Sequence, residues 1–331
     1  MKNVYVHFPF CRSKCSYCAL KSRSGSTPDE RKTYIEKVAA GLEAVASPID
    51  TLYFGGGSPA LCDLRQLKAP IAGLLGGRTE FTVELHPLDV TDRKLDELAS
   101  IGVNRISMGV QSLDDATLKA MGRPYTANEA LKAFMKIRER FSNCGIDLIA
   151  GYPSDRSDYS RLREWPLDHI SVYSLILEPG ARLSNSKNNL SFPSDDETMD
   201  AIGSITGILE TMGLERYEIS NYAKPGFECR HNLAVWFGED YIGIGNGAHG
   251  RTGLVRTDSG NESFVDAKTD RVERTIFRLR TRYGLDTALF PEWRETLDRF
   301  AEEGLLSKSG MVYFLTPRGR EVCDTILAEL V

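Results

Sequence analysis

Three cysteines lie close together near the start of the chain. Cys11, Cys15 and Cys18 follow the apolar run that ends at Phe10 and are separated by only three and two residues. Their thiolates can therefore converge on one small object, and soft thiolate ligands select iron–sulfur clusters and zinc. A cubane cluster normally takes four cysteines, so three would leave one iron open to a non-protein ligand. This spacing predicts an iron–sulfur cluster with an open iron.

Structural zinc and a disulfide are the alternatives for these thiols. Zinc requires a fourth ligand, which His7 or Cys62 could supply, but the sequence lacks the paired C-x2-C knuckles of many zinc sites. The odd total of seven cysteines and the absence of a recognisable signal peptide favour a reducing compartment, where disulfides are rare. Zinc remains the less favoured alternative to a cluster.

Further polar groups follow apolar segments at intervals along the chain. In Gly56, Gly57 and Ser58 the small side chains would let a ligand approach backbone groups. Four other residues offer a carboxylate, an amide or a guanidinium group: Glu84, Gln111, Arg123 and Asp147. Taken singly, each feature has a structural alternative, such as a tight turn, a solvated acid, a helix cap or a surface cation.

Residues 216–250 form a second unusual segment, rich in aromatic residues and glycines. The segment contains His231 and His249 and has the composition of a loop that lines a ligand site. The alternative is that most of these side chains belong to the core. Cys62 and Cys229 lack a neighbouring ligand pattern, which predicts ordinary buried thiols.

The elements that must position these groups alternate between short apolar runs and longer amphipathic stretches. Six strands are predicted, at Val4–Phe8, Thr51–Phe54, Phe81–Leu85, Arg105–Met108, Gly145–Ile149 and His169–Leu175. Helices are predicted from Thr27 onward, where a capping threonine precedes proline and acids, and over 91–100, 113–121, 126–140 and 195–213. Such βα units build a parallel sheet, so the predicted fold class is α/β, a partial (β/α)6 barrel with its chemistry at the strand C-termini.

The pattern changes towards the end of the chain. We predict a barrel over 1–220, a His/Gly-rich connecting segment over 221–265, and a small winged-helix-like α+β domain over 266–331. In the last unit, Ser309 and Gly310 read as a hairpin turn. Winged helices often bind DNA, but the absence of a basic stripe favours a protein-contact role.

Composition narrows the function classes further. The chain has 331 residues, 41% hydrophobic and 26% charged, as in soluble globular proteins, and a net charge of -5 gives no case for a nucleic-acid partner. No apolar stretch approaches the roughly 18 residues of a membrane span. We expect a cytoplasmic protein and leave peripheral membrane association open.

Together, these motifs resemble the radical S-adenosylmethionine (SAM) superfamily, specifically its coproporphyrinogen dehydrogenase-like branch. The resemblance covers nearly the whole chain. The segments that carry it are Tyr5–Cys11, Gly55–Pro59, Glu84–Pro87, Asn104–Ser112, Asp147–Gly151, Tyr217–Tyr222 and Arg230–Asn232. Ser58 stands where the family usually has threonine, and His86 where it usually has asparagine.

The resemblance implies a [4Fe-4S] cluster on Cys11, Cys15 and Cys18, with SAM chelating the fourth iron. An electron donor such as flavodoxin or ferredoxin then drives the cleavage of SAM to methionine and a 5'-deoxyadenosyl radical. The SAM contacts implied by the family are Tyr5, Tyr17, Gly56, Gly57, Ser58, Glu84, Gln111, Arg123 and Asp147.

Within this branch the resemblance implies two competing functions. One is an oxidase that decarboxylates the propionates of coproporphyrinogen, and the other is a chaperone that binds heme and passes it to acceptor proteins. The oxidases carry an extension before the cluster strand, which here starts at Val4, and commonly a fourth cysteine where this chain has Leu20. The segment from Arg230 resembles the chaperone motif His-Asn-x-x-Tyr-Trp, with Val235 in the tyrosine position, and makes His231 the candidate heme ligand. The chaperone is the favoured expectation, which leaves open whether the protein is an enzyme.

Overall fold

A sheet of 12 strands forms the centre of the protein. The structure is a computed structural model that describes residues 2–330, except for the side chains of 186–189. The middle six strands of the sheet are β1 (Asn3–Phe8), β2 (Ile49–Gly56), β3 (Leu75–Leu85), β4 (Arg105–Gln111), β5 (Cys144–Ala150) and β6 (His169–Ser174). They lie side by side in chain order and pair in parallel. All six predicted strands are confirmed. The barrel is partial, because β1 and β6 have other strands as their outer neighbours.

Helices cover the outer face of these strands. They are α1 (Pro28–Glu43), α2 (Lys68–Leu74), α3 (Asp92–Ser100), α4 (Asp115–Met121), α5 (Ala127–Arg138) and α6 (Asp195–Thr211). Thr27 caps α1 through a capping box with Glu30, as its sequence predicts. The sequence did not predict α2, which contains Pro70; the first turn of a helix tolerates proline because its N–H groups have no intrahelical acceptor.

Short strands extend the sheet at both edges. Beside β6 lie β7 (Glu215–Arg216) and β8 (Asn221–Ala223), and after α7 (Arg230–Trp236) the chain crosses to the other edge. There β9 (Tyr241–Ile244) pairs in parallel with β1, followed by antiparallel β10 (His249–Thr252), β11 (Val255–Asp258) and β12 (Asn261–Phe264). The segment that was predicted as a connection therefore contains five strands of the main sheet and one helix.

The C-terminal residues form a separate small sheet and core. Their elements are α8 (Ala267–Leu279), β13 (Leu285–Asp286), α9 (Arg294–Glu302), β14 (Leu306–Ser309), β15 (Val312–Leu315), α10 (Pro317–Glu321) and α11 (Cys323–Ala328). The strand order is β13-β15-β14, and the predicted hairpin after Ser309 is confirmed. Buried Leu279, Leu297 and Tyr313 contribute to the core of this winged-helix-like unit. Met1 and Val331, the ends of the predicted first and last units, lie outside the described residues.

The longest helix, α6, has 17 residues and presents one apolar face to the strands. Over residues 2–330, none of the helices combines the length and apolar character needed to cross a bilayer.

Candidate functional site

A cavity of about 500 Å³ opens at the C-terminal ends of the parallel strands. We call it the first cavity. Predicted site residues that line it are Cys11, Cys15, Tyr17, Cys18, Gly56, Gly57, Ser58, Glu84, Gln111, Arg123 and Asp147. The fold thus brings together residues spread over more than 130 positions, as expected for strand ends that meet at one edge of a parallel sheet. Tyr5 and His231 do not line this cavity.

Backbone hydrogen bonds fix the cysteine loop against the end of β2. The Gly57 N–H donates to the Phe8 carbonyl at 2.7 Å, and the Ser58 N–H donates to the Phe10 carbonyl at 2.6 Å. A Cβ atom on Gly57 would lie 2.4 Å from the Phe10 oxygen and 3.0 Å from the Cys11 sulfur. Glycine is therefore required for this close approach, which gives the Gly-rich segment a structural role in presenting the thiols.

The three thiols of the loop differ from the other cysteines in exposure. Cys11, Cys15 and Cys18 are half-buried at the cavity wall, whereas Cys62 and Cys229 are buried, which confirms their prediction as ordinary buried thiols. Burial raises the pKa of Cys11, and the neighbouring Cys18 and Cys15 add to the increase. The three thiols are thus close enough to interact electrostatically.

The donor set fits a cluster better than a single ion. Across residues 2–330, no group of three or more His, Cys, Asp or Glu side chains converges on one ion-sized point. A mononuclear zinc site needs four ligands around one centre, whereas the thiolates of a cubane bind different irons. Three accessible thiols around one cavity, without a converging fourth ligand, suit a cluster with an open iron.

Arg123 brings to the first cavity a cation that forms no ion pair with a described carboxylate. Its side chain is only 9% exposed, and its Nη2 donates to the Tyr17 hydroxyl at 3.1 Å. Its Nε is buried without a hydrogen-bond partner, and no described carboxylate pairs with the guanidinium group. A buried charge normally has a partner, so this arrangement is suited to an incoming carboxylate.

Two half-buried acids line the same cavity. Glu84 accepts hydrogen bonds from the Tyr53 hydroxyl at 2.8 Å and from the Gly56 N–H at 3.0 Å. Asp147 accepts from the Ser107 hydroxyl at 3.0 Å, which supplies the partner that an acid in an apolar strand needs. Burial, and next the negative charge of Asp147, raise the pKa of Glu84 to about 7. The two acids give the cavity acceptors for an amine or for hydroxyl groups.

Gln111 is held in an unusual backbone conformation at the end of β4. Its φ is 78°, in the left-handed region, and the pairing of β4 with β5 shifts register between Gly109 and Gln111. A Cβ atom on Gly109 would come within 2.6 Å of the Gln111 amide nitrogen. Backbone strain of this kind is concentrated at functional sites. A register shift at a strand end can direct a side chain into a site from which regular strand pairing would turn it away.

Sequence reasoning gave Ser58 a place in the site but missed its neighbours. The Ser58 hydroxyl donates to Asp89 at 2.5 Å, and Asp89 also pairs with Arg12 at 2.5 Å, so this hydroxyl is already engaged within the protein. Further lining residues that the sequence analysis did not assign are Arg12, His86, Tyr173, Leu175 and Ile176. The position of His86 in the Glu84–Pro87 motif was the one available signal for these residues.

A second cavity, of about 750 Å³, adjoins the first. Leu20, Glu84 and Tyr173 line both cavities and form a shared wall. Predicted site residue Tyr5 lies in the second cavity. Its ring is 5.9 Å from that of Tyr53. The predicted contact between Tyr5 and a nucleoside would therefore have to be made across this shared wall.

His231 lies in the second cavity as a neutral imidazole with a fixed tautomer. The Thr51 hydroxyl donates to the Asn3 side-chain oxygen at 2.9 Å, so it must accept from His231 Nδ1 at 2.8 Å. The proton is therefore on Nδ1, and Nε2 retains its lone pair. His231 is 5% exposed, and burial lowers its pKa to about 3. Its ring packs 5.2 Å from that of Tyr53.

The two other histidines of this cavity, His7 and His249, are poorer candidates for an iron ligand. His7 Nε2 donates to the Lys21 carbonyl at 2.9 Å, which leaves Nδ1 to accept from the Tyr5 hydroxyl at 3.1 Å. Both ring nitrogens of His7 are thus engaged. His249 is exposed, at the start of β10. His231 is the buried histidine of this cavity with a free lone pair.

Taken together, the fold and the site define a class of protein: open parallel α/β barrels that present three thiols and a charged cavity at the carboxyl edge of the sheet. The family model for the Radical SAM superfamily matches residues 5–165. The heme chaperone HemW of Bacillus subtilis (strain 168) is 32% identical, and the similarity covers the whole of both chains. HemW of Escherichia coli (strain K12) is 33% identical over 75% of this chain and 70% of that protein. The chain belongs to the radical SAM superfamily, in the coproporphyrinogen oxidase-like branch that includes the HemW proteins.

A solved structure confirms the fold class. Coproporphyrinogen III oxidase (HemN) from Escherichia coli matches with a TM-score of 0.82, covering 99% of this chain and 89% of that chain. The two sequences are 19% identical, so the likeness concerns the fold. The predicted α/β radical SAM architecture is therefore correct.

Proposed function

We propose that this protein is a heme chaperone, which binds a [4Fe-4S] cluster, SAM and heme and delivers heme to acceptor proteins. The observation that carries the proposal is the second cavity, where aromatic side chains surround a buried neutral histidine, His231, with a free Nε2 lone pair. Similarity to HemW proteins over the whole chain supports the same function.

The first cavity suits the cluster and SAM. Cys11, Cys15 and Cys18 would hold three irons, and Arg123 would pair with the SAM carboxylate. Glu84 and Asp147 would accept hydrogen bonds from its amine and its ribose hydroxyls. When bound, the reduced cluster supplies the electron for cleavage of SAM. The protein's own contribution is to bind and orient SAM and to exclude water from the cavity.

The second cavity suits a porphyrin. The rings of Tyr5, Tyr53 and Trp236 line it and offer the flat apolar contacts that a macrocycle needs. A neutral imidazole is a common axial ligand of heme iron. The hydrogen bond from His231 Nδ1 to Thr51 orients the ring, as partners of metal-bound histidines usually do. These features support His231 as the axial ligand.

Oxidative decarboxylation of coproporphyrinogen is the second candidate function. The observation that favours it is the wall shared by the two cavities, because a radical formed from SAM would have to reach an adjacent substrate. Leu20, in place of the fourth cysteine common in the oxidases, is part of this wall and is 54% exposed. The arrangement permits such chemistry, but the HemW similarity ranks it below the chaperone function.

Iron content tests the cluster assignment. After anaerobic reconstitution we expect about four irons and four sulfides per chain. Cys11→Ser, Cys15→Ser and Cys18→Ser should each lose the cluster, whereas the control Cys62→Ser should retain it because Cys62 is buried away from the cavity wall. Stoichiometric zinc without iron uptake, or cluster loss in the Cys62 variant, would show that the ligands are misassigned.

A hemin titration followed by absorbance tests the ligand assignment. The parent protein should bind one hemin per chain, and His231→Ala should lose the axial-ligand spectrum, whereas the exposed His249→Ala should keep it. An anaerobic assay with coproporphyrinogen, SAM and a reductant runs in parallel. Decarboxylation without hemin binding would reverse the order of the two functions.

A further inference from the structure

Three arginines meet in a third cavity, of about 260 Å³, between the end of β6 and the C-terminal unit. Arg216, Arg280 and Arg320 line it, and the acids on its lining are Glu321 and Asp324. Three positive and two negative side chains leave it with a net charge of +1, and both acids are exposed. Arginines held together in this way form a recurrent type of anion site.

These arginines form few ion pairs with the protein, although the buried Glu218 carboxylate acts electrostatically on Arg280 and Arg216. Among the described side chains, Asp324 is the one carboxylate that pairs with any of the three, at 3.3 Å from Arg280, and it is 94% exposed. So exposed an ion pair contributes little. The Nε of Arg280 is buried without a hydrogen-bond partner. This orphaned donor indicates that the protein leaves a place for an acceptor from outside.

Of the three arginines, Arg320 has the fewest side-chain hydrogen bonds and ion pairs. The Arg216 side chain donates to the backbone carbonyl of Ile219 at 3.0 Å, whereas the guanidinium group of Arg320 makes no hydrogen bond or ion pair with another described residue. Burial, and next the positive charge of Arg216, lower the pKa of Arg320. Two cations thus lie side by side, and an anion between them would relieve their repulsion.

The third cavity adjoins the second. Tyr173 and Ser220 line both cavities, and the Arg280 guanidinium lies 5.4 Å from the ring centre of Trp236, which lines the second cavity. The rest of the third cavity contains an apolar patch. The side chains of this patch are Ile176, Met199, Ile202, Ile219 and Val322. Apolar walls with a cationic end suit a carboxylate carried on an apolar body.

We propose that Arg216, Arg280 and Arg320 form a carboxylate site that holds a propionate of the porphyrin ligand whose ring occupies the second cavity. The proposal rests on the proposed binding of a porphyrin there. The guanidinium groups would bind the carboxylate through charge-assisted hydrogen bonds, and Trp236 would lie between the ring and the arginines. The site would select porphyrins with free propionates over uncharged ones.

The test compares the affinity of the protein for hemin with its affinity for hemin dimethyl ester, in which both carboxylates are blocked. The full chain should bind hemin about tenfold or more tightly than the ester, the effect of one charge-assisted hydrogen bond. Arg320→Gln should bring this ratio close to one, and Arg320→Lys, which keeps the charge but not the fork, should give an intermediate ratio. The matched control is Arg318→Gln, an exposed arginine on the same helix, which should keep the parental ratio.

The results separate this site from the proposed function. If Arg320→Gln folds normally by urea unfolding and keeps the parental ratio while hemin still binds, the carboxylate site is wrong and the chaperone function stands. A parent that binds neither hemin nor its ester would refute the function together with the site. If the Arg318 and Arg320 variants lose hemin affinity equally, the loss reflects the net charge of the protein, and the proposed carboxylate site is wrong.

Discussion

Replacing Arg123 with methionine should separate ligand binding from stability. Arg123 is 9% exposed, has a buried Nε without a partner and lines the first cavity without forming an ion pair with any described carboxylate. If its role is to bind the SAM carboxylate, its removal forfeits a hydrogen bond between charged groups, worth about 1.5–3 kcal/mol. That loss corresponds to SAM binding weakened by about 10- to 150-fold. Methionine keeps the apolar stem and its packing.

The same substitution should not destabilise the protein in the absence of SAM. An unpaired buried cation costs free energy, so removing it should leave the free energy of unfolding unchanged or raise it by about 1 kcal/mol. The substitution also removes the hydrogen bond to the Tyr17 hydroxyl, which offsets part of this gain. We therefore expect Arg123→Met to lower the affinity for SAM without lowering the free energy of unfolding.

Anaerobic calorimetry with the reconstituted protein measures SAM binding, and urea unfolding of the cluster-free protein measures stability. The control is Arg140→Met, which removes a partly exposed arginine paired with Asp92 and Asp96 and should leave SAM binding unchanged. SAM affinity within twofold of the parent for Arg123→Met would refute the carboxylate assignment. A loss of several kcal/mol in unfolding free energy would show instead that Arg123 has a structural role.

Three further outcomes follow from the site. SAM affinity should fall about tenfold per pH unit below pH 7, because Glu84, with its pKa raised to about 7, is protonated there and loses its negative charge; Glu84→Gln should flatten this profile in calorimetry. Gly57→Ala should lower the iron content after reconstitution, because its Cβ would clash with the Phe10 carbonyl, whereas Gly73→Ala, with open space around it, should not. Thr51→Val should weaken hemin binding about fivefold by absorbance titration, because the His231 Nδ1 proton loses its acceptor; unchanged affinity would contradict that tautomer.

The central strands were predictable because buried parallel strands are apolar along their length. Val4, Val6 and Phe8 in β1 are fully buried, and such runs followed by glycine or polar residues mark a strand end in the sequence itself. The spacing of the three cysteines is likewise visible within a few consecutive residues. For these reasons the sequence predicted the loop, the strand ends and the cavity that they form.

Other features depend on contacts between distant residues. Strand β9 pairs with β1 through Tyr241 opposite Asn3, and nothing within its four residues indicates a place in the main sheet. The second cavity depends on that pairing. Tyr5 lies within β1, as the sequence predicts, but its register opposite Gly243 and Tyr53 decides which cavity it lines.

The orientation of His231 also depends on long-range contacts. The Glu80 carboxylate in β3 accepts the N–H groups of Arg230 and His231 at 3.1 Å, which holds the first turn of α7 against the sheet. Thr51 then sets the tautomer. Both partners are more than 140 residues away in the sequence, so the motif around His231 predicts a ligand but not the geometry that frees Nε2.

Delivery of heme is the central claim, and transfer to an acceptor tests it most directly. Hemin-loaded protein is mixed with apomyoglobin as a heme acceptor, and absorbance follows the appearance of holomyoglobin. The proposed function predicts saturable loading at one hemin per chain and complete transfer from the parent protein, with loading impaired in His231→Ala. Failure to load, or loaded hemin that is not released to the acceptor, together with decarboxylation of coproporphyrinogen, would contradict the chaperone function and favour the oxidase.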